Sequence, residues 1–118
     1  MAVFRIVQGK ARPGSVERVA EMLVRQARQV ADPSEGLLFA QALRSGDHFL
    51  AVSSWRAIED MQNYLDLPAT QEFYRELPRH LMGMPTVGTY EVIDSGDVST
   101  DEGWDGPERP AGPRSGGA

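Results

Sequence analysis

Cysteine is absent from the 118 residues. Disulfides, thiolate zinc sites and cysteine nucleophiles are thereby excluded. Histidine is nearly absent too, with His48 and His80 alone, so no dense imidazole site can be assembled. The carboxylates are scattered along solvated helix faces rather than clustered. Long apolar runs are missing, and none approaches the roughly 20 residues that cross a bilayer. Met1-Ala2-Val3-Phe4-Arg5 lacks the basic flank and apolar stretch of a secretory signal, so a cytoplasmic setting is expected. Excess positive charge is lacking as well. The net charge is −5, and residues 94–118 hold six acids against two bases. The rest of the chain is near neutral, which gives no footprint for nucleic acid and no polybasic patch for membrane. Glycine-rich phosphate loops, nucleophile elbows and triad spacings do not occur.

What is present organises around His48-Phe49-Leu50-Ala51-Val52-Ser53-Ser54-Trp55. This apolar stretch reads as a strand that ends on Trp55 and runs into a helix over 56–67. Before it come the turn Ser45-Gly46-Asp47 and another apolar run, Leu37 to Leu43, so a hairpin feeds a helix. The length suggests one domain with a modest core.

Val3 to Gln8 is β-branched and aromatic, hence a strand, with Phe4, Ile6 and Gln8 on one face and Val3, Arg5 and Val7 on the other. Pro13-Gly14 stops it. Ser15 is placed to cap a helix, in which Val16, Val19, Ala20, Leu23, Ala27 and Val30 form the inner stripe and Met22 lies at its margin. In the helix over 56–67, Ile58, Met61, Tyr64 and Leu65 are expected inward, and Pro68 is expected to interrupt it. Thr70 is placed to cap a further segment from Gln71, bent at Pro78. Thr86 to Ile93 closes the pattern as a fourth strand, with Val87 and Thr89 on one face and Gly88 and Tyr90 on the other.

One folded domain, 1–93, followed by a flexible acidic tail, 94–118, rich in Gly and Pro, is expected. Trp104 is the exception in the tail, either docked on the body or dangling. The order strand, helix, strand, strand, broken helix, strand is a doubled split βαβ unit. It implies an α+β, ferredoxin-like βαββαβ fold with a four-stranded antiparallel sheet. Helices cover one sheet face. The other carries Phe4, Ile6 and their neighbours, so a homodimer with sheets face to face is expected.

A strand ending in Trp55, a helix with Ile58-Glu59-Asp60-Met61 and Tyr64, and a second aromatic helical piece with Phe73 resemble the antibiotic biosynthesis monooxygenase family. The Pro13-Gly14 turn and Gly36 before the second strand fit as well. The resemblance spans residues 3–93 and implies a dimeric α/β barrel. It implies a small enzyme that oxidises electron-rich phenols, quinols or polyketide-type aromatics without a cofactor. The related haem-degrading enzymes need Asn, Trp and His where this chain has Val7, Tyr64 and Phe73. None of these can serve, so haem is disfavoured.

In such a fold the pocket lies between sheet and helices. The resemblance makes His80, Tyr64 and Trp55 the catalytic candidates, and Arg5, Val7, Gln41, Met61 and Phe73 the substrate-binding ones. Trp55 either pins helix to strand or lines the pocket, and Tyr64 has the same two readings. His80 suits a base, since imidazole is the commonest one, or it merely complements a helix C-terminus. His48 reads as exposed. Arg5 either points into the pocket and holds an oxyanion or forms a salt bridge at the rim. Gln8 and Gln41 bond a substrate oxygen or each other across a dimer. Of Phe73 and Tyr74, adjacent in sequence, one is expected at the periphery. Three functions follow: a cofactor-free monooxygenase with a pocket of a few hundred cubic ångströms, a non-catalytic dimer that binds a small ligand or serves structurally, and a polyketide cyclase or isomerase on the same scaffold.

Overall fold

The computed structural model describes residues 2–93, so Trp104 and the tail lie outside the described residues. Four strands form one sheet: β1 (Val3–Lys10), β2 (Leu37–Ser45), β3 (His48–Trp55) and β4 (Thr86–Glu91). Their order is β2-β3-β1-β4, and each neighbouring pair is antiparallel. Helices α1 (Val16–Arg25), α2 (Ile58–Leu65) and α3 (Pro68–Glu76) join them, with a π-helical turn Gln26–Ala31 after α1 and a 3-10 turn Leu77–His80 after α3. This is the ferredoxin-like α+β topology that the element order implies.

The register fixes which residues face the helices. Val3 pairs with Trp55, Arg5 with Ser53, Val7 with Ala51 and Gly9 with Phe49, so these share one face. On the other side of β1, Arg5 pairs with Thr89 and Val7 with Val87. Phe4, Ile6, Val52 and Tyr90 lie on the opposite face, as the period of two in β1 requires. Two apolar clusters fill the space under the helices. One gathers Ala11, Val19, Met22, Leu23, Phe49, Leu77 and Leu81. The other gathers Val3, Ala31, Trp55, Met61 and Tyr64.

Several local expectations are corrected. The first helix does not run on as α-helix: it ends at Arg25 and widens into the π turn. Met22 is buried rather than marginal. Ser15 occupies the N-cap position of α1 but makes no side-chain cap bond; its N–H donates to the Arg12 carbonyl instead. Pro68 begins α3 rather than merely interrupting a helix, because a first-turn residue needs no amide hydrogen. Thr70 therefore lies inside α3, fully buried, and is not a cap. Ile58 opens α2 half-exposed, beside Val3 and Thr89 at the sheet edge. Pro78 converts the last turn to 3-10 geometry, which tolerates its missing N–H.

Candidate functional site

A cavity of about 40 Å³ lies between the sheet and the helices, over the middle of β1, β2 and β3. Its floor is made of small side chains, Ala40 and Ala42 from β2 and Ala51 and Ser53 from β3. Larger residues at these four positions would fill the space. The π turn supplies Gln26, Ala27 and Ala31 as a wall, and α3 supplies Phe73 and Tyr74 as a roof. Phe73 and Tyr74 are both half-buried and meet edge to face at 4.9 Å, so neither is peripheral.

The polar groups of the cavity are Arg5, Gln26, Ser53, Tyr64 and Tyr74. Gln26 is buried at 8% exposure at the start of the π turn, outside the inner stripe expected from the sequence. Its amide nitrogen donates to the Tyr64 hydroxyl at 2.8 Å and to Thr70 Oγ1 at 3.2 Å. With the amide nitrogen turned to both hydroxyls, the Tyr64 proton stays free to be donated. Burial pushes the Tyr64 hydroxyl up to about 12, against the opposing pull of Gln26, of Thr70 and of the Arg5 charge. At neutral pH it therefore holds its proton and acts as a hydrogen-bond donor, not a base. Trp55 is fully buried and stacks on Tyr64 with ring centroids 4.9 Å apart. Its indole N–H donates to Ser53 Oγ at 2.9 Å.

Arg5 projects from the centre of the sheet beneath the Tyr74 ring, 5.3 Å from its centroid. Its Nε is buried and has no hydrogen-bond partner among the described residues. None of the ion pairs of the described residues includes Arg5, and no carboxylate lines the cavity. The rim salt bridge that was the alternative for this residue is thus not formed there.

The structure brings Arg5, Val7, Tyr64 and Phe73 together around the cavity. Gln41 borders it as well, although the register puts its side chain on the far face with Val52 and Ile6, so its backbone makes the contact. Trp55 and Met61 lie behind Tyr64 in the core and do not line the cavity. His80 does not line it either. It sits in the 3-10 turn beside the Ala11–Leu81 bridge, its Nε2 3.5 Å from Glu76. His48 is exposed beside Asp47 at the hairpin end. Gln26 is the residue missing from the sequence expectations, and Thr70 entered them only as a cap. Gln26 follows Met22 and Leu23 by four and three residues, so a polar side chain at an inward position was the available signal. Among the described residues, no three His, Asp or Glu side chains gather where they could hold a metal.

No protein-family model matches the chain, and no curated protein matches it. Solved structures do. Rv0793 from Mycobacterium tuberculosis superposes with a TM-score of 0.76 at 13% identity, over 82% of this chain and all of that one. A protein of Deinococcus radiodurans, provisionally named an antibiotic biosynthesis monooxygenase, gives 0.72 at 20% identity over 82% and 98% of the two chains. One of Caulobacter crescentus with the same provisional name gives 0.71 at 11% identity over 79% and 91%. Identities this low carry the fold, and the chain is accordingly an α+β protein with the ferredoxin-like fold of the structures named antibiotic biosynthesis monooxygenases.

Proposed function

We propose that this protein is a cofactor-independent monooxygenase acting on a small aromatic metabolite of the phenol, quinol or polyketide type. The observation that carries the reading is the Tyr64 hydroxyl, held by Gln26 and opening on a cavity that Phe73 and Tyr74 roof over. The fold it shares with structures bearing the monooxygenase name supports it. In this chemistry the ionised substrate supplies the electrons. A phenol and dioxygen give a quinone and water: one oxygen atom becomes the new carbonyl in place of the ring C–H, the phenolic O–H becomes the second carbonyl, and the other oxygen atom leaves as water with those two hydrogens. Tyr64 donates to the ionised substrate oxygen and lowers the cost of forming that anion. No histidine or carboxylate lines the cavity, so the phenolic proton passes to solvent. His80 takes no step in this reading.

The cavity volume sets a condition. About 40 Å³ holds a water molecule or so, whereas about 150 Å³ accepts a benzene ring. A ring therefore enters only as Phe73 and Tyr74 swing aside with α3. The same small volume favours a second reading, a non-catalytic homodimer that binds a smaller ligand or serves structurally. Oxygen uptake separates the two. Pure protein given a panel of phenols and quinols is expected to consume oxygen and release quinone in equal amounts, and Tyr64→Phe is expected to slow this at least tenfold. Silence across the panel would leave the binding reading. Product formed equally well under nitrogen would instead identify a cyclase or isomerase.

A further inference from the structure

Among the described residues, the most unusual group is a cation without a counter-charge. Arg5 stands in the middle of β1, a central strand of the sheet, on the face roofed by helices. A guanidinium carries five donors and is always protonated. Arg5 is half-buried, with its Nε shielded from water; shielding part of such a charge without an acceptor is costly, and folded proteins ordinarily supply a carboxylate. Here the neighbours on the adjoining strands are Ser53 and Thr89, both neutral. From the helix side come the Tyr74 ring and the cavity itself. The Nε of Arg5 lies out of reach of solvent and unbonded among the described residues.

We propose that the cavity is an anion subsite in which Arg5 is the ionic anchor and the Tyr64 hydroxyl the second donor, so that the ligand is an aromatic ring bearing one ionised oxygen group, a phenolate or a carboxylate. The proposal takes this cavity to be the ligand site, as the proposed function does, but it does not depend on any oxidation. Three features fix the ligand class. Arg5 demands negative charge. Gln26 turns the Tyr64 hydroxyl into a donor, which prefers an oxygen acceptor. The Phe73 and Tyr74 rings cover the site with flat apolar surface, which a ring matches. A net charge of −5 makes nonspecific attraction of anions by the whole molecule unfavourable, so any affinity found belongs to a local site.

Calorimetry under anaerobic conditions tests this with two pairs of probes on the full chain. Benzoate is compared with benzamide, and para-nitrophenolate with para-nitroanisole. Each pair keeps the ring and removes the charge. The wild type is expected to bind at least one anion tenfold or more tighter than its neutral counterpart, and which of the two binds tells carboxylate from phenolate. Arg5→Gln is expected to abolish that preference while Arg5→Lys keeps part of it. Equal binding of charged and neutral partners, or no binding of either anion at millimolar concentration, overturns the proposal. The wild-type comparison needs no variant, so a poorly folded Arg5→Gln does not spoil the test. Charge-selective binding without oxygen uptake would sink the oxygenase and spare the subsite; oxygen uptake with no preference for charge would do the reverse.

Discussion

Tyr64 concentrates the chemistry of the site in one side chain. Its ring is pinned by Trp55, its oxygen is held by Gln26, and burial keeps it protonated. The raised value has a consequence for stability. The unfolded tyrosine ionises near 10 and the folded one near 12, so the unfolded chain gives up its proton first as pH rises. The contribution is therefore whole below about pH 10 and is lost as pH climbs toward about 12, amounting to roughly 2–3 kcal/mol over that window. Denaturant titrations of the wild type are expected to show this decline. Tyr64→Phe should lose about 1 kcal/mol at neutral pH, with the hydrogen bond gone, and should lack that part of the alkaline slope. Equal slopes for both proteins would mean that Tyr64 is not held neutral by its surroundings. At this scale the sequence was only partly legible. Tyr64 and Arg5 could be placed because period-two and helical spacing give direction. Gln26 could not, since an inward polar side chain shows its partners only once α2 and α3 have packed against it.

The elements tell a similar story about local and distant causes. Strand faces follow from alternation within eight residues, and the register then carries them across the sheet. The widening of α1 into a π turn leaves no comparable mark, because it depends on how Gln26 and Ala31 meet the other elements. Pro68 was ambiguous for a sharper reason: a proline that ends one helix is chemically the same as one that begins the next. The roof is the element on which entry depends. Thr70 is the only fully buried residue of α3, so Phe73 and Tyr74 are held from one end. Tyr74→Ala is expected to cost about 1–2 kcal/mol, below the value for a fully buried aromatic, and to tighten binding of two-ring phenols several-fold. Unchanged affinity would show that the roof does not limit entry. The junction into α2 is equally specific. The Gly36 carbonyl accepts the Arg56 N–H at 2.7 Å, and Gly36 sits at φ +84 with Asp60 where a Cβ would go. Gly14 has nearly the same φ, +85, but open space around it. Gly14→Ala should cost about 1–2 kcal/mol for the backbone strain alone. Gly36→Ala should cost roughly 1–2 kcal/mol more through the collision with Asp60, and equal melting shifts for the two would refute that steric account.

At the scale of the whole fold, the described residues leave the sheet with one face roofed by helices and one bare. Phe4 and Phe39 meet edge to face at 5.4 Å on the bare side, Tyr90 pairs with Phe4, and Leu43 and Tyr90 are about half exposed, at 45% and 56%. A contiguous apolar face of this kind ordinarily marks an interface, and a two-fold pairing of identical sheets would cover it with about 800 Å² from each partner. The expected particle in solution is accordingly twice the 13.0 kDa chain mass. Ile6 lies near the middle of that face, between Val52 on β3 and Gly88 on β4. Ile6→Lys would set two like charges against each other across the two-fold axis, so sedimentation should find a single chain with unchanged circular dichroism. A wild type that sediments as one chain at working concentrations would remove the dimer. Arg5 and Val7 project from the same strand in the opposite direction, and every group assigned to the anion subsite comes from one chain. The Ile6→Lys monomer should therefore still prefer benzoate or nitrophenolate to the neutral probes, with affinity within a few-fold of wild type. Loss of binding together with loss of the dimer would show that the bare face shapes the cavity through the sheet, and the two halves of the design could no longer be treated as independent.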